Sequence, residues 1–441
     1  MTTLVYILRG LFGVAVLVGI AYAVSSNRRA VNWRLVGVGV LLQLIFALLV
    51  LKTGPGRAVF EFIGGVFSRV LSFTFEGSRF IFGPLGIPQG QEGSIGSIFA
   101  FQVLPTIVFF GALMGMLYYL RLIQPVVRGM GRFMAKTMKI SGAESLATAA
   151  NVFIGQTEAP LVVRPYIQGM TRSELMTLMT GGMATIAGGV LASYILFLGG
   201  DDPVARVAFA GHLLSASIMS APAAIVMAKI IVPETEAPAT TGEIAMEVPT
   251  QGSNVLEATA DGASEGLKLA LNVGAMLLAF IALLALVNYL LGIAGRPVIF
   301  GWEAYDLNGV IANWTGGRFT SLSLQSIFAF LFAPIAWAMG VQSNEILLFG
   351  SLLGEKIAVN EFIAYLSLGN LKDVLSERTT IIAAYALCGF ANFSSIAIQI
   401  GGIGGIAPQR RSDVARLGIQ AVIGGALASW MTATIAGMLI G

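Results

Sequence analysis

Asn151-Val-Phe-Ile-Gly-Gln-Thr-Glu-Ala-Pro160 sits in the middle of an apolar region and breaks every rule for a segment that faces lipid. Asn151, Gln156, Thr157 and Glu158 bring amide, hydroxyl and carboxylate groups to a depth where each unsatisfied polar group costs several kcal/mol. They must face protein, water or a ligand. Gly155 and Pro160 bracket the cluster and oppose a continuous helix through it. Non-helical backbone at membrane depth persists only where it is buried in protein or lines a cavity. The stretch therefore predicts the tip of a re-entrant hairpin at a binding site.

The surrounding chain supports a membrane setting. Of its 441 residues 56% are hydrophobic and only 11% charged, and the mean hydropathy of +0.83 is far above that of a soluble globular protein. The fold class expected is an all-α polytopic membrane protein in the lipid bilayer. A net charge of +3 and the lack of a soluble basic domain exclude nucleic acid as a partner. One cysteine, Cys388, excludes an internal disulfide, and one histidine, His212, excludes a histidine-rich metal site. No Gly-Lys-Ser/Thr phosphate loop is present, which opposes ATP-driven chemistry.

Apolar runs long enough to cross a bilayer cover residues 4–24, 33–51, 98–120, 175–199, 204–232, 267–294, 379–402 and 414–440. Arg28, Arg29 and Arg34 mark the first loop as cytoplasmic, and the cluster Arg121, Arg128, Arg132, Lys136 and Lys139 marks a basic amphipathic segment on that face. Both termini then fall outside. Residues 59–82 alternate Phe, Ile and Val with charges and predict an interfacial helix on the outer side. Residues 233–266 are polar, acidic and rich in Thr, Ala and Pro, and predict a flexible cytoplasmic loop.

Two further segments break the spanning pattern. Gly181-Gly-Met-Ala-Thr-Ile-Ala-Gly-Gly189 predicts an unwound middle in 175–199, and Cys388-Gly-Phe-Ala-Asn-Phe-Ser-Ser395 does the same in 379–402. Residues 141–168 are too short for two crossings and predict the first hairpin. The polar region 323–369, with Gln325, Glu345, Glu355, Lys356, Asn360 and Glu361, predicts a second. Hairpin, broken helix and plain helix thus occur twice, and loop charge gives the copies opposite orientation. The expected architecture is about eight transmembrane helices, two re-entrant hairpins and two broken helices in inverted repeats. Its parts are N-terminal spans and interfacial helix (1–120), first repeat (121–232), loop (233–266), scaffold span and outer connection (267–322), and second repeat (323–441). Inverted repeats with broken helices point to a secondary transporter whose site lies at the midplane.

The irregular segments also carry a resemblance. Gly155-Gln-Thr-Glu-Ala-Pro160, Ser215-Ala-Ser-Ile-Met-Ser-Ala-Pro222, Asn272, Asn360-Glu-Phe362 and Cys388–Ser395 together resemble the concentrative nucleoside transporters, in register from about Ile98 onward. The resemblance implies a bacterial, sodium-coupled importer of nucleosides, in the inner membrane, assembled as a homotrimer. It implies that Gln156, Thr157 and Glu158 meet the nucleobase, with Val190 as an apolar contact beneath it. Glu361, Asn392 and Ser395 would hold the ribose hydroxyls, with Phe390 flanking the sugar. Asn151, the Ile154 carbonyl, Thr185 and the Ile186 carbonyl would form the sodium site; Thr185 stands where sodium-coupled relatives have serine. No cofactor beyond the coupling sodium ion is implied.

The chemistry of these side chains agrees. Amides and a hydroxyl suit the edge of a neutral base, a carboxylate suits a vicinal diol, and oxygen donors suit a hard cation. The motifs contain no arginine to hold a phosphate, which argues against nucleotides. A proton-coupled symporter of the same fold is the alternative, with Glu158 or Glu361 carrying the proton. An intramembrane enzyme has no nucleophile with a companion base here. Lys356 reads as a structural partner for a carboxylate, His212 as a packed or hydrogen-bonded histidine, and Cys388 as a small packing residue.

Overall fold

The computed structural model describes residues 3–89, 91–240, 253–299, 302–303 and 305–440. Regular structure among them is helical apart from a short antiparallel ribbon, Val298–Ile299 with Trp302–Glu303. Eight helices among the described residues are long and apolar enough to cross a membrane.

One of those eight lies across the bundle. Helix Gly54–Phe82 starts two residues after Lys52, and it ends with the Phe82 ring 4.9 Å from that of Phe101. Phe99 stacks on Phe197 at 5.8 Å, and the Arg206 guanidinium sits 5.9 Å from the Phe75 ring centre. Both ends of this 29-residue helix therefore lie at the same end of the neighbouring helices. A spanning helix of that length would put them about 40 Å apart on opposite sides. The amphipathic pattern of 59–82 is realised as a helix along one face, and it begins earlier, at Gly54. The eighth crossing comes instead from two short helices in line, Glu377–Leu387 and Phe393–Ile406.

Polar anchors show the inversion of the repeats. At the basic side, Ser26 N–H donates to the Ile231 carbonyl at 2.8 Å, Lys229 pairs with Glu144 at 2.8 Å, and Arg410 donates to the carbonyls of Gln168 and Met170. The first hairpin thus enters and leaves on that side, between the end of helix Pro203–Ile231 and the start of Arg411–Leu439. At the opposite side, Arg378 donates to the carbonyls of Gly340, Gly437 and Ile440, Arg9 to those of Trp337 and Val341, and Glu345 accepts from Ser376. The second hairpin and the second broken helix start there. Helix Thr3–Ala23 begins, and helix Arg411–Leu439 ends, on that side as well.

The first repeat comprises helix Gln124–Met138, hairpin helix Gly142–Asn151 with short turns Ala159–Val162 and Arg164–Ile167, broken helix Arg172–Ala184 and Gly188–Gly199, and long helix Pro203–Ile231. The second comprises Leu324–Ala338, hairpin helices Ile346–Ala358 and Glu361–Leu371, the broken pair above, and Arg411–Leu439. The second hairpin consequently begins at Ile346, not near 323: Leu324–Ala338 is a separate helix in the place of Gln124–Met138. Of the polar residues of 323–345 that suggested one long hairpin, Ser323 caps this helix by accepting from Ser326 N–H, Glu345 accepts from Ser376, and Gln325 accepts from Asn288 and donates to Glu355. The two long helices run antiparallel through the core, with Ser220 Oγ donating to Thr432 Oγ1 at 3.4 Å.

The expected loop 233–266 is shorter than its composition suggested. Residues 241–252 lie outside the described residues, and from Val255 the chain is already helical, in a helix that runs to Ala294. Asn254 caps it by accepting from Glu257 N–H at 2.9 Å. Gly262 and Gly266, read as loop residues, are contact points: a Cβ on Gly262 would fall 2.4 Å from the Gly111 carbonyl oxygen. Small residues let the two backbones approach this closely, as in membrane helix pairs generally.

The two helix breaks meet in the interior. Gly389 has φ +112°, and a Cβ there would lie 2.6 Å from the Met183 carbonyl oxygen at the end of the first half-helix. Gly389→Ala is expected to destabilise the protein by roughly 2–4 kcal/mol through backbone strain and collision, seen as a lower thermal midpoint in detergent. An unchanged midpoint would contradict this packing.

Candidate binding site

Breaking a helix at membrane depth leaves backbone donors without partners, and side chains supply the remedy here. Asn360 accepts from Ile363 N–H at 3.0 Å and starts Glu361–Leu371; Asn392 accepts from Ser395 N–H at 2.9 Å and starts Phe393–Ile406. Asparagine is among the best N-caps because its side-chain oxygen satisfies the N–H two or three residues on. Glu361 is then the first residue of its helix. That position favours a carboxylate through the helix dipole.

Asn392 has a second role. Its Nδ2 donates to Glu361 Oε2 at 2.8 Å, while the Tyr194 hydroxyl donates to Glu361 Oε1 at 3.2 Å. Three elements, the second hairpin and both broken helices, thus converge on one carboxylate that is 4% exposed. The first hairpin joins through Gln156, whose Nε2 donates to Ser395 Oγ at 3.1 Å. Gln399 completes the group: its Nε2 donates to Gln156 Oε1 at 3.1 Å and to the Met179 carbonyl at 2.9 Å.

Gln156, Glu361, Asn392 and Ser395 are therefore brought together. Thr157 and Glu158 are exposed at the hairpin tip, with the Glu158 carboxylate turned back on Gly155 and Thr157 and the Thr157 methyl against Gly402. Val190 is buried just past the first break, and Phe390 is half-buried in the unwound stretch of the second.

The residues expected to hold a cation lie on the first hairpin and the first break. Asn151 ends the helix Gly142–Asn151, and its side chain approaches Gly181, whose carbonyl accepts from Thr185 Oγ1 at 2.9 Å. Gly188 N–H donates to the Phe153 carbonyl at 3.2 Å, which ties the hairpin tip to the break at 185–187 and sets Ile154 and Ile186 on adjoining strands of irregular backbone. Asn151 is 1% exposed, yet neither its Oδ1 nor its Nδ2 has a hydrogen-bond partner. A buried amide with both ends unsatisfied is rare and requires an explanation.

Motif reading missed Gln399 and Tyr194. A lone glutamine or tyrosine on a long apolar run carries no spacing signal; the polarity of Gln399 in the stretch 396–406, otherwise made of Ile, Ala and Gly, was the one available hint. Lys356 does not pair with a carboxylate. Its Nζ donates to the carbonyls of Ala386 at 2.9 Å and Cys388 at 3.4 Å, which the second break frees. His212 is packed and polar-bonded as expected, with Nδ1 3.4 Å from the Tyr385 hydroxyl.

Inverted repeats whose broken helices and hairpin tips meet around a polar site define a membrane transporter. The match to known proteins is correspondingly clear. The model of the Na+ dependent nucleoside transporter C-terminus matches residues 212–437, that of the N-terminus residues 12–85, and a nucleoside-recognition gate model residues 100–201. An uncharacterized transporter of Haemophilus influenzae is 45% identical across 99% of this chain and 98% of its own. Sodium/nucleoside cotransporter 2 of Rattus norvegicus is 38% identical across 97% of this chain, which spans 62% of the rat protein. Among solved structures, CNTnw in an inward-facing substrate-bound state superimposes with a TM-score of 0.84 at 40% identity, covering 98% of this chain and 99% of that one; a CNTnw variant in an outward-facing state gives 0.83 at 39%, covering 98% and 97%. The chain belongs to the Na+ dependent nucleoside transporter family. It is a transporter, as its relatives are, and not an enzyme.

Replacing Lys356 by Met would leave the Ala386 carbonyl without its buried donor and the Cys388 carbonyl with Ser429 Oγ alone, at a cost of roughly 1–3 kcal/mol. The thermal midpoint of Lys356→Met should fall while helix content by circular dichroism is kept; an unaltered midpoint would remove this role.

Proposed function

We propose that the chain is a secondary active symporter that imports nucleosides, driven by a sodium gradient, by alternating access. The observation that carries this reading is the convergence of both hairpins and both broken helices on Glu361, Asn392, Gln156 and Ser395. A carboxylate already accepting from an amide and a phenol can exchange these for the two hydroxyls of a ribose, and the amide and hydroxyl opposite suit a base edge. In this reading Thr157, Glu158, Val190 and Phe390 line the approach to it. Family membership and the structures of CNTnw in inward- and outward-facing states support both the substrate class and the alternation.

Sodium is the coupling ion in this reading. Asn151 Oδ1, Thr185 Oγ1 and the carbonyls of Ile154 and Ile186 are all-oxygen donors of the kind a hard cation takes. The unpartnered Asn151 amide supports a ligand there. Because this cluster spans the first hairpin and the first break, a bound cation would order Gln156 before the nucleoside arrives. The protein would sit in a bacterial cytoplasmic membrane with the basic side inward and both termini outward, as a homotrimer.

Radiolabelled uridine uptake into proteoliposomes tests the proposal. Accumulation is expected with an inward sodium gradient and not with an inward proton gradient. Proton-driven accumulation would move coupling to a carboxylate, and no uptake under either gradient would overturn the substrate class. Glu361→Gln should lower uptake at least roughly 10- to 100-fold while leaving assembly by size-exclusion chromatography unchanged. Retained uptake would remove its ribose role.

A further inference from the structure

Gln399 lies one turn beyond Ser395 on helix Phe393–Ile406 and is 1% exposed. Its two hydrogen bonds fix more than its own position. A main-chain carbonyl can only accept, so the Met179 carbonyl, 2.9 Å away, determines which end of the Gln399 amide is nitrogen. A primary amide nitrogen has two N–H donors, and the bonds to Met179 and to Gln156 Oε1 use both. Gln156 is constrained in turn. The atom it turns to Gln399 must be an acceptor, so Oε1 lies there and Nε2 points the other way. One Nε2 hydrogen goes to Ser395 Oγ at 3.1 Å, and the other is left for a ligand. Turning the Gln399 amide over would set carbonyl oxygens against each other at Met179 and at Gln156. The arrangement is tight as well as directional, since a Cβ at Gly182 would fall 2.8 Å from Gln156 Cβ and 3.0 Å from Gln399 Nε2.

We propose that Gln399 is a positioning residue that presents Gln156 to the nucleobase as a hydrogen-bond donor, so that the site favours bases with a keto oxygen at the matching edge over bases with an amino group there. This rests on the nucleoside reading above and adds a selectivity to it. The Gln399 Oε1 atom, buried without a donor, is the local cost of holding the amide this way round.

Isothermal titration of uridine, cytidine, inosine and adenosine onto the purified full chain tests the role. In the wild type the keto member of at least one pair, uridine over cytidine or inosine over adenosine, should bind about tenfold more tightly. Gln399→Met keeps the volume and removes both donors, which frees the Gln156 amide to rotate; the keto-to-amino ratio should then fall to within about twofold of unity. Gln399→Asn, too short to reach Gln156 and Met179 together, should show the same loss, and thermal midpoints identify which variant is folded. A ratio unchanged in a folded variant, or a wild type that prefers the amino member of both pairs, overturns the positioning role while the nucleoside reading stands. A wild type that binds none of the four overturns the nucleoside reading and this role with it.

Discussion

A backbone that leaves its helix inside a membrane must find partners for the N–H and C=O groups it frees, and this requirement governs the molecule. Four segments do so: two hairpin tips and two helix breaks. None could stand alone in lipid. They are viable because they are gathered in one place, where Gly389 of one break rests on the Met183 carbonyl of the other and Gly188 N–H of one break meets the Phe153 carbonyl of a hairpin tip. The inverted topology serves the same need, bringing elements that enter from opposite sides together at mid-depth.

The groups that satisfy this backbone are also the groups that present a binding surface. Asn392 caps a helix with one side-chain atom and orients Glu361 with the other. Lys356 answers two carbonyls freed by the second break, so its charge is engaged near Glu361 without forming an ion pair with it. The carboxylate is held instead by Tyr194 and Asn392, neutral donors that a neutral ligand with hydroxyl groups can replace. The exception is Asn151, whose amide caps nothing and binds nothing. In the proposed reading a bound cation accounts for this one.

Much of this was legible in the sequence, for a physical reason. Polar residues inside apolar runs are costly enough that their presence at 151–158, 185–186, 360–361 and 388–395 marks irregular structure directly, and those segments are where the hairpin tips and breaks lie. Gly and Pro located the breaks to within a few residues. Boundaries set by packing were less visible. The stretch 255–266 has the composition of a loop, yet its glycines serve a close helix contact with Gly111. Leu324–Ala338 is an independent helix capped by Ser323, and only the contacts show where the second hairpin starts. Gln399 and Tyr194 were silent because a single polar side chain on a helix gains meaning only from the partner that the fold brings to it, 243 residues away in sequence for Gln399 and Gln156.

The central idea is that one cluster of irregular backbone serves cation and nucleoside together, the first hairpin tip being ordered by one and read by the other. Binding must then be linked, and the linkage must be reciprocal. The direct measurement is the uridine Kd of the purified protein as sodium replaces choline at constant ionic strength, paired with the sodium dependence of thermal stability with and without uridine. Sodium is expected to tighten uridine between about 5- and 150-fold, uridine to tighten sodium by the same factor, and Asn151→Leu to abolish both effects. A uridine Kd indifferent to sodium in the wild type would contradict a shared, cation-ordered site.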